Sequence, residues 1–292
     1  MKVPASRRGV TTVFGFAGVL CLSSNAAVHG QTAAAAASAV AINAVQVAKP
    51  PVIDGTVAES EWQGATVATG FIQFEPRRGE RSDMRTESLV LYDAGHLYVA
   101  FRAWDMEPVT AQLTQRDADL LRDDAVVLVV DTTDDRRSGY YFITNALGTQ
   151  ADGRIAEDGR TSESTWDAPW QSAAKPTDYG WSAEFSVPLS SVRYVAGEGR
   201  TWGINFGRSR RRTLEMSFWS GPLDHQWRVS GAGRLIGLNV PPPLDRLQVV
   251  PYRVLRQDES PFECDSRIEP GYSGMHWRTN AVASVGPHAN GR

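Results

Sequence analysis

The stretch Gln115–Ile155, QRDADLLRDDAVVLVVDTTDDRRSGYYFITNALGTQADGRI, decides the predicted fold. Its apolar run, Ala125–Val130, carries apolar side chains on both faces of an extended strand, as expected for a central strand covered on both sides. A polar turn at 131–138 leads into the second β-type run, Gly139–Asn145. Such a turn between two β-type runs predicts a buried hairpin.

Period-two alternation recurs on both sides of this hairpin. Thr86–Tyr92 and Leu97–Trp104 flank the turn Asp-Ala-Gly-His and predict a second hairpin. In Leu97–Trp104, apolar residues share one face, while Arg102 and Trp104 lie on the other. Trp181–Val187 and Trp202–Phe206 alternate in the same way and leave Glu184 and Asn205 opposite their apolar faces. Several short strands with few helical stretches predict an all-β, antiparallel β-sandwich of the immunoglobulin or jelly-roll type.

Composition restricts the classes of partner. The chain has 292 residues, 22% of them charged, and a formal net charge of -3. That charge gives no reason to expect a polyanion, so no nucleic-acid partner is predicted. Two cysteines far apart in the sequence do not form a disulfide framework. Nine tryptophans stand out, since aromatic rings serve as stacking surfaces as well as core.

Five segments are expected along the chain. Residues 1–30 have the basic start, short apolar run and small residues of a signal peptide, which predicts export to the periplasm or outer membrane. An Ala-rich leader, 31–44, follows. The sandwich is predicted at 45–238, a proline-rich linker at 239–246, and a truncated or unstructured tail at 247–292.

A series of short motifs in fixed order resembles the family 9 carbohydrate-binding module-like domain. The motifs are Ile53-Asp54-Gly55, Glu61-Trp62, Leu97-Tyr98-Val99-Ala100-Phe101, Gln115-Arg116-Asp117, Val130-Asp131-Thr132, Asn145-Ala146-Leu147-Gly148, Ser164-Thr165-Trp166-Asp167, Gly180-Trp181-Ser182-Ala183-Glu184 and Trp202-Gly203-Ile204-Asn205-Phe206. The resemblance spans roughly Val45–Leu238. It is strongest to the domain that precedes a predicted outer-membrane β-barrel in large bacterial proteins, and Leu247–Tyr252 resembles the entry to such a barrel before the pattern stops.

The resemblance implies a β-sandwich that binds poly- or oligosaccharide between aromatic rings, with calcium nearby in some members. Trp104 with Arg102 is the first candidate platform, because a ring stacks on a pyranose while charged groups contact its hydroxyls. The alternative is a partly buried tryptophan capped by an arginine stem. Trp166 and Trp170 either close over a ligand or tuck their loop onto the sandwich. Arg116, Glu184 and Asn205 are further candidates to bind sugar, whereas Trp62, Trp181 and Trp202 are expected in the core.

Charged clusters allow two interpretations each. Asp117, Asp119, Asp123 and Asp124 are candidate calcium ligands, because calcium prefers several hard oxygens. The alternative is a solvated acidic turn or ion pairs with neighbouring arginines. Asp152-Gly153 is interpreted as a turn, and the arginines at 208 and 210–212 as a solvated hairpin.

These features predict a non-catalytic, exported module that binds carbohydrate in support of its breakdown. No metalloprotease, nucleophile-elbow or phosphate-loop motif occurs in the sequence, which argues against an enzyme. Two alternatives remain open: a periplasmic or plug-like domain that contacts an outer-membrane β-barrel, and a fragment of a glycoside hydrolase with an acid pair.

Overall fold

A computed structural model describes residues 40–243, and nearly all of its regular structure is β. The predicted signal peptide, most of the predicted Ala-rich leader and the predicted tail from residue 244 lie outside the described residues. The strands, in chain order, are β1 (Ala41–Asn43), β2 (Thr66–Ala68), β3 (Ile72–Glu75), β4 (Thr86–Tyr92), β5 (His96–Trp104), β6 (Ala125–Asp131), β7 (Gly139–Asn145), β8 (Gln150–Ala156), β9 (Thr161–Glu163), β10 (Gln171–Thr177), β11 (Gly180–Pro188), β12 (Gly197–Arg210), β13 (Glu215–Phe218) and β14 (Gly233–Val240). Short 3-10 helices lie at Leu120–Arg122, Glu157–Gly159, Leu189–Ser191 and Arg211–Thr213.

The strands form two sheets that confirm the predicted sandwich. The nine-stranded sheet runs β1-β14-β12-β6-β7-β8-β9, with β13 paired to β12 and β3 paired to β13. The five-stranded sheet runs β10-β11-β5-β4-β2. The named strand pairs are antiparallel except for β1 with β14. Both predicted hairpins are present, β4–β5 and β6–β7. No helix in residues 40–243 is long and apolar enough to cross a membrane.

The main core lies between the sheets and follows the predicted alternation. Val99 and Phe101 of β5 face Val126 and Leu128 of β6 within one buried cluster. Trp181 and Trp202 belong to that cluster, as expected. Burial of these aromatic and branched side chains supplies the dominant favourable free energy of folding.

Both sheets are also covered on their outer faces. The segment before β2 covers the five-stranded sheet, where Trp62 packs with Leu91 and Tyr98. On the nine-stranded sheet, Leu120 and Trp227 from connecting segments pack over alternate residues of β6 and β7. Double coverage explains why every residue of β4, β6 and β7 is buried.

Three boundaries and turns differ from the predictions. β1 lies inside the predicted leader, so the sandwich begins before Val45, and β14 extends to Val240 inside the predicted linker. Asp152-Gly153 is not a turn but the middle of β8. Gly153 is paired with Tyr141 on β7, and a Cβ there would lie 2.5 Å from Cζ of Tyr141 and 2.6 Å from the carbonyl oxygen of Glu163. The turn prediction failed because this glycine makes room for an aromatic ring rather than for a reversal of the chain.

Candidate functional site

The ring of Trp104 is packed by protein rather than free as a platform. Trp104 lies on the outer face of β5, where Tyr179 stacks on it with centroids 4.9 Å apart. The guanidinium carbon of Arg85 lies 4.2 Å from the Trp104 centroid. With both neighbours within 5 Å, little of the π surface is left for a pyranose. Arg102 is turned to the Glu87 carboxylate, at 3.5 Å, and to the carbonyl of Val57. Trp104 therefore matches the alternative interpretation given above, a partly buried tryptophan covered by an arginine, rather than an open sugar platform.

Glu184 is a structural acceptor buried beneath the segment that covers the five-stranded sheet. Its Oε2 accepts hydrogen bonds from the backbone N–H groups of Asp54 and Gly55, and its Oε1 accepts one from Nε1 of Trp62, at 2.8 Å. The side chain is 0% exposed. Burial raises the pKa of this carboxyl to about 6, and the three hydrogen bonds limit the rise. Glu184 therefore holds two distant segments together and is not accessible to a sugar.

Asn205 is likewise buried and holds a loop. It lies on the outer face of β12, opposite Val129. Its Oδ1 accepts hydrogen bonds from the backbone N–H groups of Phe206 and Ser220, both at 2.9 Å. The side chain thus fixes the start of the segment between β13 and β14, and the amide oxygen is not available to a ligand.

Trp166 and Trp170 tuck their loop onto the sandwich. Trp170 stacks on Phe185 at 5.3 Å and donates from Nε1 to Oδ1 of Asp152. Trp166 packs on Tyr140 at 4.9 Å. Of the two interpretations offered by the sequence, the structure favours the structural one for both rings.

Arg116 completes this anchorage. Its guanidinium lies 2.6 Å from Asp152 of β8 and 2.6 Å from Asp167 of the tryptophan loop, and it donates to Gln150. Burial raises the pKa of Asp152, and the positive charge of Arg116 partly offsets that rise. Asp152 is held by donors on three sides, so Arg116 serves to neutralise a buried carboxylate.

The arginines at 208 and 210–212 lie on β12 and in its turn to β13, so the predicted hairpin is present, but not all of its arginines are solvated. Arg208 and Arg210 are buried, and Nε of Arg210 lies 2.6 Å from Oδ2 of Asp105. Arg212 reaches the other oxygen of Asp105 at 3.1 Å. Burial lowers the pKa of Arg208 to about 10, and the Asp105 charge opposes that shift. The prediction of a solvated patch was therefore wrong for Arg208 and Arg210, which share the Asp105 carboxylate, whereas Arg211 and Arg212 in the turn are exposed.

A cavity of about 280 Å³ opens on the outer face of the nine-stranded sheet, between the acidic lead-in of β6 and the loop that carries Trp227. We call it the Trp227 cavity; it is lined by Asp117, Ala118, Asp119, Leu120, Leu121, Tyr141, Ile143, Ala151, Asp152, Ser164, Gln226 and Trp227. Trp227 and Tyr141 stack in its wall with centroids 4.6 Å apart.

The chemistry of this cavity combines an apolar wall with groups that bind hydroxyls. Asp117, Asp119 and Gln226 offer carboxylate and amide groups, and Ser164 offers a hydroxyl. Asp117 has a φ of 61°, and its backbone N–H donates to the carbonyl of Gln150, which fixes its position beside β8. Burial, with the charges of Asp152 and Asp117 nearby, raises the pKa of Tyr141, so its hydroxyl stays protonated. An aromatic and aliphatic wall with a few convergent polar groups is the usual form of a small-ligand site.

Comparison with known proteins identifies the family. The sequence profile described as "Carbohydrate family 9 binding domain-like" matches residues 53–213, more than half of the chain. The chain belongs to this family.

Solved structures share the fold of this carbohydrate family 9 binding domain-like chain. One is a carbohydrate binding module family 9 from Caldicellulosiruptor kristjanssonii in complex with cellotriose, with a TM-score of 0.51, 17% identity, and coverage of 72% of this chain and 100% of that chain. Another is a putative carbohydrate-binding protein from Bacteroides uniformis, with a TM-score of 0.54, 14% identity, and coverage of 68% and 99%. A third is the Caldicellulosiruptor module in complex with glucose, with a TM-score of 0.50, 16% identity, and coverage of 70% and 98%. No curated protein matches the chain.

The four acids proposed as calcium ligands are not gathered in this family 9-like domain. Asp123 Oδ2 accepts from the backbone N–H groups of Gln112 and Leu113 and from the Asn145 amide. Both oxygens of Asp124 also accept backbone N–H groups. Within residues 40–243, no group of three or more His, Cys, Asp or Glu side chains is arranged to hold a metal ion. The residues present do not fit a calcium site, because the buried carboxylates are already bound by N–H donors.

The sequence analysis missed the wall of the Trp227 cavity. Trp227 and Gln226 lie beyond the matched range 53–213, in the segment between β13 and β14. The available signal was a tryptophan among polar loop residues, the same signal that drew attention to Trp166. Of the predicted site residues, the cavity includes only Asp117 and Asp119, both expected as metal ligands rather than sugar contacts.

Proposed function

We propose that the chain is a non-catalytic carbohydrate-binding module of an exported bacterial protein, and that the Trp227 cavity binds the sugar. The observation that carries the proposal is the stacked Tyr141–Trp227 wall beside carboxylate, amide and hydroxyl groups. Family membership supports the carbohydrate class. The apolar N-terminal segment after a basic start supports export.

In this proposal the apolar wall contacts the C–H face of the sugar, and the polar groups bind its hydroxyls. The edge of the Trp227–Tyr141 pair and the neighbouring Ile143 provide apolar surface for the C–H face of a pyranose ring. Asp119 and Gln226 then accept from and donate to its hydroxyls. A cavity of about 280 Å³ suits one or two sugar units, so we propose that it holds the end of an oligosaccharide rather than the middle of a long chain.

Calorimetric titration of the full chain with glucose, cellotriose and a panel of plant and bacterial oligosaccharides tests the proposal. Asp119→Ala and Gln226→Ala remove one hydroxyl contact each, and Asp119 makes no capping hydrogen bond to the described residues that the change would disturb. Asp119→Ala removes a charged partner and should bind roughly 10–100-fold more weakly, from a hydrogen bond of about 1.5–3 kcal/mol. Gln226→Ala removes a neutral partner and should bind roughly 2–10-fold more weakly, from a hydrogen bond of about 0.5–1.5 kcal/mol. Asp178→Ala and Gln171→Ala are matched controls at exposed positions outside the cavity and should bind as the parent does.

Two outcomes contradict the proposal. Failure to bind any member of the panel would remove carbohydrate as the ligand class. If all four variants bound the sugar with the same affinity, the sugar site would lie outside the Trp227 cavity. Incubation with the bound oligosaccharide, followed by analysis for released sugars, checks that the module leaves the glycosidic bond intact.

A further inference from the structure

The charged residues that line the Trp227 cavity are all acids. They are Asp117, Asp119 and Asp152, and the lining includes no arginine, lysine or histidine. Charges of one sign around a concave surface act more strongly on an occupant than on a molecule in open water, because the protein screens them less. The lining can therefore discriminate between sugars by their charge as well as by their hydroxyls.

Two of the three acids are available to a ligand. Asp152 is not, because its carboxylate is already held by three donors of the chain, Ala168, Trp170 and Arg116. The side chain of Asp117 is 38% exposed, and its Oδ2 lies 3.7 Å from Nε of Arg116, beyond hydrogen-bond distance. Asp119 is exposed, and within the described chain its side chain makes no capping hydrogen bond to the 3-10 helix that follows it. Both carboxylates can thus form ion pairs with an occupant.

The neighbouring arginines do not neutralise these two carboxylates. Three arginines are immediate sequence neighbours of lining residues, and none of the three is in the lining: Arg116, Arg122 and Arg228. Arg116 and Arg228 together form ion pairs with five acids, Asp117, Asp152, Asp158, Asp167 and Asp224. These acids and Asp119 outnumber the three arginines, so this part of the surface keeps an excess of negative charge.

A pyranose with a protonated amine matches this combination of apolar wall and negative charge. In a glucosamine unit the polar substituents lie near the plane of the ring. Its C–H face can therefore rest on the Trp227–Tyr141 wall while the amine reaches the carboxylates beside it. An ammonium group donates hydrogen bonds and accepts none, which suits carboxylates that only accept. A sugar acid would meet like charges, and a neutral sugar would gain no ion pair.

We propose that the Trp227 cavity is selective for amino sugars and holds the end of a β-linked glucosamine oligosaccharide. Asp117 and Asp119 determine this selectivity by pairing with the ammonium group, and Trp227 with Tyr141 contacts the ring. The proposal rests on the proposed function of the cavity and adds the class of sugar to it. The two acids that the sequence suggested as calcium ligands thus bind an organic cation.

Three matched trimers separate the effect of charge from that of shape. The β-1,4-linked glucosamine trimer carries an amine where cellotriose carries the 2-hydroxyl, and its N-acetylated form carries a neutral amide there. Calorimetric titration of the full chain in low salt at about pH 6, where an amine keeps its proton, compares the three. An exposed ion pair is worth up to about fivefold in affinity, so with two carboxylates the glucosamine trimer should bind about fivefold or more tightly than either neutral trimer. In 1 M NaCl, where the Debye length is about 3 Å, this preference should fall to about twofold or less.

Charge-removing variants assign the preference to the two carboxylates. Asp119→Asn and Asp117→Asn each remove one negative charge and keep the size of the side chain, and asparagine tolerates the φ of 61° at position 117. Each should lower the ratio of the glucosamine-trimer affinity to the cellotriose affinity by about twofold or more. Asp178→Asn removes the same charge at an exposed position outside the cavity and should leave that ratio unchanged.

The outcomes distinguish the selectivity from the sugar site itself. The selectivity is overturned, and the sugar site stands, if the parent chain binds cellotriose as tightly as the glucosamine trimer. The same holds if 1 M NaCl leaves the preference intact, or if Asp178→Asn changes the ratio as much as Asp119→Asn does. Failure to bind any of the three trimers would contradict both proposals. So would an assigned indole N–H signal of Trp227 that does not shift in NMR spectra at saturating glucosamine trimer.

Discussion

Removal of one hydrogen bond at Trp62 should destabilise the domain in a way that depends on pH. Trp62→Phe keeps an aromatic ring against Leu91 and Tyr98 but removes the Nε1–H that donates to Glu184 over 2.8 Å. The buried carboxylate then loses one of its three donors. A hydrogen bond to a charged group contributes about 1.5–3 kcal/mol, so we expect a loss near 2 kcal/mol above pH 7. For a domain of this size, that corresponds to a fall in Tm of roughly 4–8 °C.

The sign of the pH dependence follows from the pKa of Glu184. The folded state raises this pKa from its ordinary 4.5 to about 6, so between these values the folded chain holds a proton that the unfolded chain has lost. Glu184 therefore lowers stability progressively as pH rises from about 4.5 to about 6, and by a constant amount above that. The hydrogen bond from Trp62 stabilises the ionised Glu184 carboxylate more than the protonated one. The cost of Trp62→Phe should consequently shrink as pH falls from 7 to 5.

A matched control isolates the hydrogen bond from the change of ring. Trp202 is 2% exposed, and its Nε1 has no partner within the described residues, so Trp202→Phe removes the same atoms without breaking a hydrogen bond. Chemical denaturation followed by circular dichroism at pH 5 and pH 8 gives the four stability changes. If Trp62→Phe costs no more than Trp202→Phe at pH 8, or if their difference is the same at both pH values, the assigned role of Glu184 is wrong.

Three further substitutions test other parts of the domain by the same denaturation assay. Gly153→Ala should lower the free energy of unfolding by about 1–3 kcal/mol through overpacking. Gly95→Ala should leave it nearly unchanged, because the added Cβ there meets an atom only at 3.7 Å. Equal losses of stability in the two variants would refute the packing argument. Asp105→Asn should cost about 3–5 kcal/mol because it leaves the buried guanidinium of Arg208 uncompensated, and a change below 1 kcal/mol would contradict that role. Trp104→Ala should cost about 1–2 kcal/mol and leave sugar affinity unchanged, and a selective loss of sugar binding in calorimetry would restore Trp104 as the platform.

Local patterns were sufficient to predict the central strands β4 to β7 and the fold class. The alternation in Leu97–Trp104 and the continuous apolar run at Ala125–Val130 each reflect which faces of one strand are covered, and that information is local. The family resemblance added the order of the motifs. The sandwich prediction is confirmed for these reasons.

The roles of individual polar residues could not be predicted in this way. Glu184 lies on the non-core face of β11, as the alternation indicated, but a segment 130 positions away covers that face. Asn205 also lies on a non-core face, and it is covered by the loop that begins at Ser220, after β13. A strand pattern shows that a face is outside the main core, and does not show whether another part of the chain covers it.

The parallel pairing of β1 with β14 bears on where this domain can be excised. The family match starts at Ile53, yet β1 at Ala41–Asn43 completes the edge of the nine-stranded sheet, and Val47 donates a backbone hydrogen bond to Tyr92 of the other sheet. A fragment that starts at the family boundary would leave the backbone groups of β14 at an open edge, where other chains can pair with them. Recombinant versions of this module should therefore start at or before Val40, and the same extension merits attention in other members whose boundaries were taken from sequence profiles.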